Sequence, residues 1–313
     1  MKGAFVVNPA AGNGRAGKQW PQLAAQLKAH GIEGKVVYTA VPGEATAITR
    51  RLLEAGHDTL LAVGGDGTIN EVANGFFAGE EPLNKAARLG ILSCGTGADL
   101  VKSLGLGPGA KAIRCLAEGH TAALDVGLAV FHDWAGRPVK RHFLNFSDLG
   151  MGGETVARVN HTTKALGGFV SFLMGALRAI LAYKGKTAEI VLDDGQPVQQ
   201  VVCDIVVANG QYFGGGMHVA PAASLMDGLF DVFVLGDVPK ARLIFDLLPR
   251  VYRGTHVGHR DIWGKRARRL VVRSKEQLLV DIDGELVGTS DAEFSMLPAA
   301  LPVIVPQKFS TAR

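Results

Sequence analysis

The 313-residue chain is poor in three features that would each narrow its class. Cysteine is scarce: Cys94, Cys115 and Cys203 are odd in number, widely spaced and never arranged as C-x-x-C. That argues against a disulfide framework and a cysteine-ligated zinc site, and fits a reducing cytoplasm. Charge of one sign is scarce as well, since 33 lysines and arginines face 29 aspartates and glutamates, too mild an excess for a dedicated nucleic-acid-binding protein. Long apolar runs are lacking. The greasiest stretch, 166–183 (LGGFVSFLMGALRAILAY), carries Arg178 and three glycines and approaches, without matching, the ~20 apolar residues of a membrane span. Its Phe169, Phe172, Leu173, Leu177, Ile180 and Leu181 recur at helical spacing, which predicts an amphipathic helix on a core, with lining of an apolar groove as the alternative. The opening MKGAFVVNP has no apolar region and cleavage site of the export type. Neither G-x-S-x-G nor H-E-x-x-H is present. His256 and His259 stand three apart in GTHVGHRD with no cysteine or third ligand near them, so a surface loop is expected there and not a zinc site.

With 47% hydrophobic and 20% charged residues, the chain is long enough for two modest cores. Its 41 glycines cluster in short motifs and form no repeat. In the first third, apolar strands (GAFVVN, KVVYTA, TLLAVGG, ARLGILSCG) alternate with helical segments, the pattern of βαβ units and a buried parallel sheet. Helices are expected across 18–30, across 44–54 and from about Thr68. From about Leu124 the character changes to strand-like runs broken by Asp-Gly, Gly-Gly and Pro, with a helix expected over 239–253. The expected division is an α/β domain over 1–127, a β-rich domain over 128–300, and a tail over 301–313 whose packing the sequence leaves open. A basic run, Lys265, Arg266, Arg268, Arg269 and Arg273, reads either as the solvated ends of a strand or as a patch facing anionic lipid.

Two glycine-rich loops invite a phosphate. Gly12 to Gly17 fits G-x-G-x-x-G, but the following strand KVVYTA ends in Tyr38-Thr39-Ala40 with no carboxylate for a ribose. It nearly fits a P-loop, but Gln19 follows Lys18 where a magnesium-binding hydroxyl is required. A ligand-free turn remains an alternative. The second loop, Gly64-Gly65-Asp66-Gly67, runs from an apolar strand into a helix opened by Thr68. Successive glycines let backbone N–H groups approach phosphate oxygens, and the helix N-terminus adds positive dipole. A carboxylate is out of place beside a phosphate unless it handles Mg²⁺ or a proton, so Asp66 points to phosphoryl transfer; the alternative is a helix-capping Asp-Gly turn.

The segment GGDGTINEV resembles the nucleotide loop of the superfamily of diacylglycerol, sphingosine and ceramide kinases and bacterial lipid kinases, with NAD kinases as more distant holders of such a loop. Further segments resemble those of the lipid kinases in the same order: Asn8-Pro9 with Gly12 and Gly14, Gly95-Thr96-Gly-Ala-Asp-Leu100, Asn145, Asn209-Gly210, Asp227-Gly-Leu-Phe-Asp-Val232, and Asp283-Gly284-Glu285. Ala98 departs from the usual Asn, and GMGGETV lacks an aspartate found in many relatives, so Gly152 and Gly153 are given no chemical role.

The resemblance implies an NAD-kinase-like α/β nucleotide-binding domain followed by a β-sandwich-like lipid domain. It implies ATP and Mg²⁺ as cofactors and transfer of the γ-phosphoryl group to a hydroxyl of diacylglycerol or a related lipid. Nucleotide contacts fall on Asn8, Thr39, Gly64, Gly65, Asp66, Gly67, Thr68, Asn70 and Thr96, with Asp66 also in the chemistry. Glu285 is the expected general base, with Asp283 orienting it or touching Mg²⁺, although Asp283-Gly284 would make a hairpin turn in any case. A second, structural Mg²⁺ falls to Asp227 and the carbonyls of Ser224 and Leu229. The substrate is expected to be taken from a membrane surface by a peripheral cytoplasmic protein; a homodimer is open. The rival readings are an NAD kinase, against which the D-G-E segment stands, and a non-catalytic nucleotide- or lipid-binding protein, for which Ala98 is the best evidence.

Overall fold

The computed structural model describes residues 2–95, 98–160, 177–178 and 180–310. It divides into two compact units, Met1–Val126 with Leu297–Arg313, and Gly127–Met296.

In the first unit, β1 (Lys2–Val7), β2 (Glu33–Tyr38), β3 (Thr59–Gly64) and β4 (Arg88–Ser93) form a parallel sheet in the order β2-β1-β3-β4. Val303 pairs with Leu89 and extends the sheet beyond β4. All six residues of β3 are buried, which is why this strand reads as an unbroken apolar run and not as an alternation. The connecting helices are α1 (Arg15–Ala29), α2 (Glu44–Glu54), α3 (Asp66–Gly75), α4 (Asp99–Ser103) and α5 (Ala110–Glu118). Thus α1 and α3 start a little earlier than periodicity alone suggests.

Helix α2 has no side-chain cap of its own, and its N-cap, Gly43, is left-handed. Glu71 of α3 supplies the missing acceptors, taking the N–H groups of Gly43 at 2.8 Å and Ala45 at 3.1 Å. A carboxylate on the neighbouring helix thus satisfies two of the orphan donors of α2 and meets its positive end. The closing segment also belongs to this unit: Leu301, Val303, Ile304 and Val305 are buried, and Val305 N–H donates to the His120 carbonyl.

The strands of the second unit are antiparallel. Along the chain they are β5 (Thr121–His132, entering from the first unit), β6 (Pro138–Phe143), β7 (Phe146–Gly150), β8 (Lys186–Leu192), β9 (Val198–Ala208), β10 (Phe230–Gly236), β11 (Ile262–Ala267), β12 (Arg269–Arg273), β13 (Leu279–Ile282) and β14 (Glu285–Ile304). The long strand β9 pairs with β8 through its first half and with β7 through its second, with β10 along its other edge. Likewise β14 pairs with β13 near its start and with β12 farther on. Long strands shared in this way turn one sheet back over a single core. That core centres on Phe143, stacked on Phe230 at 5.6 Å and edge-on to Phe294 at 6.2 Å, geometries that add to simple burial.

Helix α6 (Met151–Asn160) follows β7 directly. The helix expected over 239–253 is realised as Lys240–Arg242, a π-helical turn Leu243–Leu247, and Leu248–Arg253. Of the helix expected over 166–183, most lies outside the described residues.

Candidate active site

At the carboxyl ends of the first unit's strands, β1 leads to β2 on one side and the chain crosses to β3 on the other, which creates the crevice where open α/β sheets bind ligands. The loops that follow β1, β3 and β4 touch there. A Cβ on Gly12, whose φ is +61°, would lie 2.5 Å from the Cys94 carbonyl oxygen, and one on Gly95 would lie 2.8 Å from Gly65 Cα. Only glycine permits both approaches. The loop Gly12 to Gly14 therefore borders the crevice, leading into α1 through left-handed Gly14.

Asn8 is committed to holding these loops. Its amide donates to Thr68 Oγ1 at 2.9 Å and its carbonyl oxygen accepts Ala10 N–H at 3.0 Å. Thr39 continues the ladder beside it, its N–H donating to the Val7 carbonyl. Gly64 ends β3, Gly65 has extended backbone and N-caps α3, and Asp66 and Gly67 form the first turn of that helix. Thr68 and Asn70 are buried on α3, and the Asn70 carbonyls accept the Asn74 amide. Thr96 lies outside the described residues.

Asp66 Oδ2 accepts the N–H of Ala98 at 2.9 Å, tying the loop after β3 to the loop after β4. Ala98 is left-handed, at φ +55°, a conformation that Asn adopts more readily than Ala. The departure from the related sequences thus falls where Asn is favoured for its backbone, and the Asp66 hydrogen bond helps to hold Ala there. Sequence reasoning passed over Arg15, which opens α1 and whose charge partly offsets the burial that raises the Cys94 thiol. It places a cation beside the glycine loops.

In the second unit, Asp283 stands at φ +48° in the β13–β14 turn and is nearly buried. Its carboxylate accepts the N–H groups of Leu144, Asn145 and Phe146 at 3.1, 3.1 and 2.9 Å, while its own N–H donates to the Phe146 carbonyl. Asn145 donates through its amide to the Tyr212 carbonyl and accepts Asn209 and Gly210 N–H groups on its own carbonyl. Asn209 returns its amide to the Leu144 carbonyl. Three motif segments thus meet in one buried polar node. The carboxylate of Asp283 is turned to backbone amides and holds the hairpin in place.

Glu285, the first residue of β14, has its side chain 40% exposed, and Arg141 donates to its Oε2. A guanidinium beside the carboxylate fixes its orientation. Nothing in the sequence marks Arg141 for this; its place follows from the β5–β6 pairing, in which it lies opposite Ala129.

Behind the hairpin lies a buried group of acids. Asp148 and Asp281 face each other across β7 and β13, and Asp204 lies diagonally across β7 and β9 on the same face. Asp148 and Asp281 are fully buried. Burial, with its neighbours Asp204 and Asp281, pushes the Asp148 carboxyl well up. Burial and then Asp283 and Glu285 raise Asp281 to about 8, and burial raises Asp204 to about 7. The start of α6 packs over them. A Cβ on Gly152 would come within 2.4 Å of an Asp148 oxygen and one on Gly153 within 2.8 Å of Leu279 Cβ, which gives the two glycines of GMGGETV a structural purpose.

Between α6, β9, β10 and the 240–253 segment lies a cavity of about 140 Å³ lined by Thr155, Val206, Phe233, Leu247, Val251 and His256 among others. His256 is buried, contrary to the surface loop expected. Its Nε2 lies 2.8 Å from the Val219 carbonyl, and burial lowers its pKa, so it presents a neutral ring. His259 sits between Asp246 and Asp261 at 3.2 and 3.6 Å. Among the described residues, no group of three or more His, Cys, Asp or Glu is arranged to hold a metal ion.

At the Asp227 turn, Asp227 Oδ1 accepts Leu229 N–H at 3.1 Å and Oδ2 is bonded to Arg266. Ser224 Oγ accepts Met226 N–H at 3.4 Å. Arg266 also lies 3.8 Å from the Asp231 carboxylate, so one guanidinium serves two acids and holds the turn. The same pairing thins the basic run. Arg266, Arg269 and Arg273 engage Asp227, Glu293 and Glu189, which leaves Lys265 and Arg268 without an ion pair among the described residues.

Comparison with known proteins decides the family. Residues 2–129 match the family model described as the diacylglycerol kinase catalytic domain, and residues 148–305 match the YegS C-terminal NAD kinase beta sandwich-like domain. The chain belongs to the diacylglycerol kinase family. It is a lipid kinase on an α/β and β-sandwich-like scaffold. The enzyme is 27% identical over 311 residues to the diacylglycerol kinase of Bacillus subtilis (strain 168), which covers 98% of each chain. It is also 27% identical to that of Staphylococcus carnosus (strain TM300), covering 97% of this chain and 94% of the relative. In fold it resembles a crystal structure of a diacylglycerol kinase from Bacillus anthracis str. Sterne, with a TM-score of 0.72 and 22% identity over 98% of both chains. No helix among the described residues is long and apolar enough to cross a membrane.

Proposed function

We propose that the enzyme transfers the γ-phosphoryl group of ATP to a hydroxyl of diacylglycerol or a closely related lipid taken from a membrane surface by a peripheral cytoplasmic protein. The apolar cavity of the second unit carries this reading. It is about the size of cavities that hold one benzene ring, enough for the near end of an acyl chain, and its lining is mostly apolar.

The touching glycine loops after β1, β3 and β4 present backbone N–H groups and the α1 and α3 N-termini to the nucleotide phosphates, with Arg15 as an added cation. Asp66 would be the carboxylate that holds a Mg²⁺ arriving with the nucleotide. That ion, when bound, neutralises charge on the transferring phosphoryl group. Glu285, held by Arg141, takes the proton of the acceptor hydroxyl, and Asp283 keeps the hairpin that carries it in place.

Labelled γ-phosphate from ATP and Mg²⁺, offered to a total lipid extract and separately to NAD, should enter a lipid that mass spectrometry identifies as the monophosphate of a glyceride or kindred alcohol. Label in NAD alone would sink the proposal. The loop contact gives a second expected result. Gly95→Ala forces the two loops apart at a cost of roughly 1–3 kcal/mol, as overpacking does, so the melting temperature should fall by several degrees, and calorimetry well below that transition should show ATP binding weakened. Unchanged ATP binding would place the nucleotide elsewhere.

A further inference from the structure

The 240–253 segment has two faces. Leu243, Leu247, Leu248 and Val251 line the apolar cavity, whereas Phe245, between them in the π-helical turn, is 81% exposed, the most exposed large apolar side chain among the described residues. Leu181, 57% exposed, lies alongside, its carbonyl accepting the Lys240 ammonium. The surrounding charge has one dominant sign. Lys240, Arg242, Arg250, Arg253 and Arg260 face only Asp246 and Asp261 over 240–261, of which Asp246 pairs with Arg250 and Asp261 with Arg242. An exposed aromatic ringed by a cationic surplus complements an anionic bilayer surface, where the ring enters the acyl boundary and the bases meet headgroups. The π-turn widens the helix where its outer side chain must leave the surface and its inner ones must wall the cavity.

We infer that Phe245, with Leu181 and the basic residues of 240–260, is the surface by which the enzyme docks on anionic membranes, so that the outer face of one helix sits in the lipid layer while its inner face walls the acyl cavity. This rests on the lipid-kinase reading and places the contact outside the run Lys265 to Arg273, three of whose arginines are ion-paired.

The three cysteines are buried, so Phe245→Cys can be labelled selectively with an environment-sensitive dye, and Trp134→Cys, at another exposed site, serves as control. With vesicles of phosphatidylcholine and phosphatidylglycerol, dye at 245 should brighten and shift to the blue and dye at 134 should not; pure phosphatidylcholine should give little change. Phe245→Ser should lower vesicle partitioning roughly tenfold, from the loss of one buried aromatic. Arg253→Gln should lower it about fivefold at low salt. Phe245→Ser should retain activity on a detergent-dispersed short-chain diacylglycerol while losing activity on the vesicle-embedded lipid. Unshifted dye at 245, or wild-type sedimentation by Phe245→Ser, overturns the docking surface. Docking with no phosphorylation of any dispersed lipid would instead overturn the kinase reading and leave the surface standing.

Discussion

Glu285→Gln is expected to lower kcat by roughly 10²–10⁴, the usual contribution of a positioned general base, while leaving the melting temperature nearly unchanged. The side chain is partly exposed and its pairing with Arg141 is at the rim of the fold, where ion pairs contribute about 0–1 kcal/mol. Glutamine keeps the shape and one oxygen for Arg141 but removes the lone pair that receives the proton. KM for lipid should therefore move much less than kcat. Asp283→Asn should behave in the opposite way. Three backbone donors converge on that carboxylate, so its loss should appear first as lower stability, and lost activity should follow the unfolded fraction. Steady-state kinetics beside thermal melts separate the two. Equal loss of activity by both variants with intact folding would mean that Asp283 acts on the substrate after all; full activity in Glu285→Gln would remove Glu285 from the chemistry.

Much of the α/β unit was legible because its physics is local. Buried parallel strands must be apolar along their whole length, and touching backbones must be glycine, so β3 and the loops at Gly12, Gly65 and Gly95 announce themselves. Asp66 stood out as a carboxylate among phosphate-binding features. What stayed hidden depends on partners far apart in sequence. Glu71 reads as an ordinary helical residue and is the cap of another helix 26 to 28 positions away. Arg141 reads as a surface base and is the partner of a residue 144 positions on. Asp283 was legible as a turn, but no motif shows that its carboxylate faces amides at 144–146. His256 sits in a loop by composition, and its burial comes with contacts to Val219 and Phe233, both distant in sequence. The acids Asp148, Asp204 and Asp281 look like the polar members of alternating strands; only the register of β7, β9 and β13 puts them on one buried face.

That register leads to the last expected result, an enzyme more stable in mild acid than at alkaline pH, with much of the slope removed by Asp148→Asn. In the unfolded chain these carboxyls lose their protons near pH 4. In the folded protein Asp204 holds its proton to about 7 and Asp281 to about 8, and Asp148 is raised with them. Between those limits the folded state binds more protons than the unfolded one, so unfolding free energy falls as pH rises, by about 1.4 kcal/mol per pH unit for each group so affected. Above the folded values the loss is complete and the slope vanishes. Asp148 is the shared neighbour, opposite Asp281 and diagonal to Asp204, and Asp283 and Glu285 add negative charge toward Asp281. Asn in its place removes one desolvated acid and relieves both others. A gain of roughly 2–4 kcal/mol at pH 8, shrinking toward pH 5, is expected from groups buried this deeply. Chemical denaturation of wild type and Asp148→Asn across that range measures it, and parallel pH profiles for the two would show that the buried acids are not what makes stability depend on pH.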